Sequence, residues 1–174
     1  KNGASEKAAH AWLDAVVARG GTNMHEALAA ALSQPSHEGM LPVVLFLTDG
    51  LPTIGRTSEK SIAALAGEGN RAERRIFTIG VGEDVNAPLL RRMAEISGGL
   101  PCYILSGENL EVKLSQVFRQ LYGPVFRKVR YTVCSPDGRE QPGRVQDAIP
   151  SGVLPDIYSG NPAVLAGRYI GTEP

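Results

Sequence analysis

Residues 43–53 read VVLFLTDGLPT: five apolar residues, a threonine, then a carboxylate followed at once by glycine. A short run with β-branched and aromatic character, bounded by turn residues, has the pattern of a strand buried on both faces. The strand is expected over 42–48. Asp49 then falls where the chain leaves its sheet, with Gly50 freeing the backbone to turn. Open α/β sheets place ligand chemistry at the carboxyl ends of their strands. The plain alternative is that Asp49 caps a turn, since Asp and Gly are ordinary turn residues.

Upstream, 5–19 has helical spacing. Ala8, Ala9, Trp12, Leu13, Val16 and Val17 form one stripe, and Gly20-Gly21 stops it. Met24, Ala27, Leu28, Ala31 and Leu32 repeat at the same spacing, so "GGTN" joins two helices with Thr22 and Asn23 at the second N-cap. A polar loop over 34–40 leads into the strand.

Downstream, a helix over 58–67 presents Ile62 and Leu65 inward, and "RIFTIGVG" (75–82) is a second buried strand. In "EDVNAPLLRRMAEISGG", Asn86 caps a helix, Pro88 suits its first turn, Val85 staples to Leu90 and Gly98-Gly99 ends it. "PCYIL" is a third strand. Ser106 is the expected cap of a last helix whose inner face is Leu110, Leu114, Val117 and Leu121, closed by Gly123-Pro124. Strands alternating with helices predict an α/β fold, a doubly wound, mostly parallel sheet with helices on both faces.

After Pro124 the period changes to two. Val125, Val129, Tyr131 and Val133 share one side of an expected half-exposed strand, "SPDGRE" is a turn, and 163–170 is a return strand. The division is thus 1–123 for the α/β part and 124–174 for a small β-rich tail or part of an adjoining module. No internal repeat or low-complexity tract is present.

Composition bounds the function. The 174 residues carry eighteen basic and eighteen acidic side chains and are 43% hydrophobic. Zero net charge and the lack of a polybasic block argue against nucleic acid and anionic membranes as partners. The apolar runs are far too short to span a bilayer. Cys102 and Cys134 form no C-x-x-C pair and have no Cys/His cluster around them, so both are expected as buried or half-buried thiols rather than zinc ligands. His10, His25 and His37 read as surface histidines, because no nucleophile elbow accompanies them. "GVGEDV" lacks the third glycine of a dinucleotide fingerprint. The first residue is Lys1 and no basic-plus-apolar leader follows, so neither a translation start nor a signal peptide is read here.

Thr22 and Asp49 share a setting, each in a loop at the end of an element. A hydroxyl and a carboxylate brought together there are hard oxygen donors, suited to Mg²⁺ or Mn²⁺. Three segments in order, "ARGGTNMHEALAAAL", "VVLFLTDGLPTIG" and "RIFTIGVGEDVNAPLLRRMAEISGG", resemble the later part of a von Willebrand factor A domain. The resemblance is closest to bacterial proteins related to inter-α-trypsin inhibitor heavy chains; it covers roughly 5–122, and "YSGNPAVLAGRY" resembles the stretch that follows.

The resemblance implies a metal-ion-dependent adhesion site in which Thr22 is the threonine of the second loop and Asp49 the aspartate of the third. Asn23, Gly50 and Leu51 would form the ligand-facing rim. A partner's carboxylate, from a protein or extracellular-matrix ligand, would complete the cation's shell. The family's first loop, Asp-x-Ser-x-Ser, does not occur in this chain. The expectation is therefore an incomplete domain that binds Mg²⁺ or Mn²⁺ weakly or not at all and leaves the 42–48 strand with a bare edge.

The function so implied is a non-enzymatic binding or adhesion module. The alternatives are an accessory subunit working with a hexameric ATPase in assembly or metal insertion, and a Mg²⁺-dependent hydrolase. The hydrolase lacks a second acidic residue at an adjoining strand end. The residues leave the compartment open; the resemblance implies an extracytoplasmic parent protein.

Overall fold

The structure is a computed structural model and describes residues 3–17, 20–127, 129–151 and 154–171. Three strands, β1 (Val43–Thr48), β2 (Arg75–Val81) and β3 (Pro101–Ile104), form a parallel sheet in the order β1-β2-β3. Each of these strands has a helix after it, as parallel connections require. The α/β reading is right.

Register explains the two-sided core. Val44 lies opposite Ile76 and Phe46 opposite Thr78, while Leu45 faces Phe77 and Leu47 faces Ile79. The first set points to one side of the sheet. There α2 (Met24–Leu32), α3 (Glu59–Gly67) and α4 (Ala87–Ser97) bury it with Leu28, Ile62, Leu90 and Met93, all fully enclosed. On the other side Phe77, Ile79 and Ile104 pack with Val117 of α5 (Leu110–Gln120) and with Tyr158. Helices thus cover both faces.

That cover stops short of β1. Against the expectation of a fully buried strand, Leu45 is 41% and Leu47 59% exposed, because β1 is the last strand of the sheet among the described residues and α5 lies over β2 and β3. The first helix, α1 (Gly3–Ala15), also ends earlier than expected and has no buried residue. Its stripe at Trp12, Leu13, Val16 and Val17 faces solvent, and Ala18 and Arg19 lie outside the described residues.

Helix ends follow local chemistry. Asn23 and Asn86 cap α2 and α4 as expected, Ser58 caps α3, and Gly98 ends α4 in the left-handed conformation at φ 74°. The cap of α5 is Asn109 rather than Ser106: its side chain accepts from Val112 N–H. Leu110, at the first turn of α5, is 50% exposed instead of buried.

The tail departs most from expectation. The period-two stretch after Pro124 forms no continuous strand. Phe126 bridges to Ile157 and Cys134 to Glu140, while Lys128 lies outside the described residues. The paired strands are β4 (Val145–Ile149), inside the Pro/Gly-rich segment, and β5 (Ala166–Tyr169), within the expected return strand; they run antiparallel. Cys134 is exposed and Cys102 half-buried, and both are free thiols.

A segment of the tail joins the α/β core. Asp156 accepts two hydrogen bonds from Arg75, at 3.0 and 2.6 Å, and both side chains are nearly inaccessible. Tyr158 meets Phe77 edge to face and donates its hydroxyl to Gly98 O at 2.6 Å.

Candidate functional site

The carboxyl end of β1 meets the loop before α2. At the turn itself the stabilising side chain is Thr48. Its hydroxyl donates to Gly50 O at 3.1 Å and accepts from Gly50 N–H at 3.4 Å. The turn-cap role therefore belongs to the threonine before the aspartate. Asp49 is exposed, and among the described residues its carboxylate has no hydrogen bond and no ion pair.

The second loop is fastened to the first by main-chain bonds. Thr53 N–H donates to Thr22 O at 2.9 Å, Ile54 N–H to the same oxygen at 3.4 Å, and Thr22 N–H to Thr53 Oγ1 at 2.8 Å. Thr22's backbone is committed in both directions. Its own hydroxyl has no hydrogen-bond partner among the described residues. Glycines permit the approach: a Cβ on Gly21 would stand 2.5 Å from Thr53 Oγ1, and one on Gly55 2.6 Å from Asn23 Oδ1.

The rim residues behave differently from one another. Asn23 is occupied with α2: its Oδ1 accepts from Glu26 N–H at 3.2 Å and its Nδ2 donates to Glu26 Oε2 at 2.8 Å. The first bond satisfies one orphan donor of the helix, and the second holds the capping side chain to Glu26. Gly50 is half-buried with open space around its missing side chain, and Leu51 is 52% exposed. A cleft of about 310 Å³ runs between the start of α2 and β1; Thr22 and Thr48 line it, and Asp49 lies outside its lining.

The donor set is a hydroxyl and a carboxylate, both hard oxygens, which suits Mg²⁺ or Mn²⁺ chemistry. It fills only part of an octahedral shell. Among the described residues no group of three His, Cys, Asp or Glu side chains is placed to hold a metal. After β3, Glu108 accepts from Leu105 N–H at 2.8 Å and pairs with Lys113 at 2.9 Å. Those two partners hold its carboxyl below the usual range, so that anion is already matched. Burial pushes the Cys102 thiol up, away from a reactive thiolate.

Sequence reading picked out Thr22 and Asp49, one on each of the two clasped loops, and missed Thr48 and Thr53. Neither threonine breaks a periodicity or completes a motif. The available signal is a hydroxyl residue lying opposite a double glycine, and it has meaning only once the loops are known to touch.

The model of the von Willebrand factor type A domain matches residues 2–101. The chain is similar to inter-alpha-trypsin inhibitor heavy chain H4 of Bos taurus, at 25% identity over 168 residues, covering 92% of this chain and 18% of that protein. It is also similar to heavy chain H6 of Homo sapiens, at 26% identity over 167 residues, covering 90% of this chain and 12% of that one. The chain thus spans less than a fifth of the length of these relatives. A crystal structure of an uncharacterized membrane spanning protein from Vibrio fischeri aligns with 48% of this chain and 47% of its own, at 20% identity and a TM-score of 0.37.

Proposed function

This chain belongs to the von Willebrand factor type A domain family, and from that premise we propose that it is a non-enzymatic module that binds a protein or matrix partner through a divalent cation. Thr22 and Asp49 supply the hydroxyl and carboxylate of the cation's shell. Water and a carboxylate of the partner fill further positions, and Gly50 and Leu51 form the surface the partner meets. The cation supplies the charge that pulls in the partner's carboxylate. Without the Asp-x-Ser-x-Ser loop the site is weak, and a parent protein carrying that loop holds the cation more tightly. By the same resemblance the parent protein works outside the cytoplasm.

One observation carries the reading. Thr22's hydroxyl and Asp49's carboxylate have no partner among the described residues, while Thr48 does the structural work of the turn that Asp49 would otherwise do. Unpartnered polar side chains on two clasped loops at a strand end are what a ligand site needs and a fold does not.

The test is Mn²⁺ titration followed by paramagnetic broadening of amide signals, which detects millimolar association. Broadening should centre on Thr22 and Asp49, vanish in Asp49→Ala, and appear at lower Mn²⁺ in a chain extended upstream to include the first loop. A folded extended chain with no localised broadening ends the proposal.

A further inference from the structure

We infer that Thr53 is a positioning residue for the Thr22 hydroxyl. The inference rests on the cation site proposed above and adds a residue to it that does not itself touch the cation. Thr53 grips Thr22 through both of its main-chain polar groups: its hydroxyl accepts Thr22 N–H at 2.8 Å and its amide donates to Thr22 O at 2.9 Å. Two bonds to one residue fix both its place and its rotation, which one bond does not. The grip uses up Thr22's main-chain groups and leaves its side-chain oxygen, which has no hydrogen-bond partner among the described residues, as the group free to bind a cation.

Two further contacts show that the clasp is built into the loops. Gly21 lies directly beneath the Thr53 side chain, so any Cβ there would push the hydroxyl away. Asn23, whose side chain caps α2, sits against Gly55, where a Cβ would stand 2.6 Å from Asn23 Oδ1. The 22 and 53 loops therefore interlock at three successive places. Thr53 is exposed, so its bonds contribute little to the core, and the precision they confer on Thr22 is their main effect.

The clasp makes a prediction that a purely structural threonine does not. Thr53→Val keeps the shape and removes the acceptor; Thr53→Ser keeps the acceptor and removes the methyl. Gly21→Ala disturbs the clasp without altering Thr53. The unsubstituted chain and these three variants, all in the upstream-extended form and with Asp49→Ala as the reference for a lost site, are titrated with Mn²⁺ by amide broadening, and each is melted to verify folding. Thr53→Val and Gly21→Ala should need about tenfold more Mn²⁺ for half-broadening at Thr22, the scale of one lost hydrogen bond, while Thr53→Ser behaves as the parent chain. If folded Thr53→Val and Gly21→Ala both titrate as the parent does, the positioning role is wrong and the cation site survives. If the unsubstituted upstream-extended chain shows no broadening that Asp49→Ala removes, the cation site and the positioning role fall together. Should Thr53→Val unfold, Gly21→Ala carries the same comparison.

Discussion

Asp49 makes no hydrogen bond or ion pair among the described residues, whereas Asp156, at 7% side-chain exposure, accepts two hydrogen bonds from an Arg75 that is 6% exposed. Asp49→Ala should therefore change unfolding free energy by less than about 0.5 kcal/mol. Asp156→Ala should cost about 3–5 kcal/mol, because it strands a buried guanidinium. Urea denaturation of the two variants reads the difference. A third residue reports through pH. Burial, then the Asp156 charge, pushes the Tyr158 hydroxyl from its ordinary 10.0 up to about 12. Its contribution to stability is complete below pH 10. It is lost between pH 10 and 12, where the unfolded chain gives up a proton that the folded chain keeps. The fall in stability across that window should be shallower in Tyr158→Phe, measured by denaturation at stepped pH.

At the scale of elements, α4 and β1 mark the range of what local pattern reveals. In α4 every signal agrees: Asn86 at the cap, Pro88 in the first turn, Gly98 in the left-handed exit, and Leu89, Leu90 and Met93 buried. Its boundaries and inner face were legible because they depend on residues a few positions apart. The apolar character of β1 was equally plain. Its partial exposure was a matter of neighbours: the Leu45 and Leu47 side lies beyond the reach of α5 and Tyr158. An apolar edge without a charged residue along 40–48 is a template for pairing with another chain. Leu47→Lys should lower self-association of the chain, seen as reduced light scattering at high concentration, with little change in melting temperature. An increase in scattering would show that the edge is not the sticky surface. The α1 stripe gives the same lesson, since Trp12, with the right spacing for a core, is 68% exposed among the described residues.

Across the whole molecule, the tail and the α/β layer share a core. The change of period at Pro124 marks a change of secondary structure, yet Tyr158 closes the Phe77–Ile104 side of the sheet and Asp156 matches Arg75 at the start of β2. A chain ending at Gly123 should consequently be less stable than the full chain. Tyr158→Ala alone should remove about 3–5 kcal/mol, the usual cost of deleting a large buried aromatic. Equal melting temperatures for the full and shortened chains would mean that the tail is only resting on the layer.

Composition and spacing alone determined the α/β class, the sites of the three parallel strands, the caps of α2 and α4 and the choice of Thr22 and Asp49 as the donors to examine. All of these follow from contacts within a turn or two, or from a period that one face of an element imposes. Only tertiary structure decided that Thr53 clasps Thr22 across 31 residues and that Tyr158 belongs to the core. Each of those joins groups far apart in the chain through a hydrogen bond or a shared buried surface, and no local period records which distant residue will arrive.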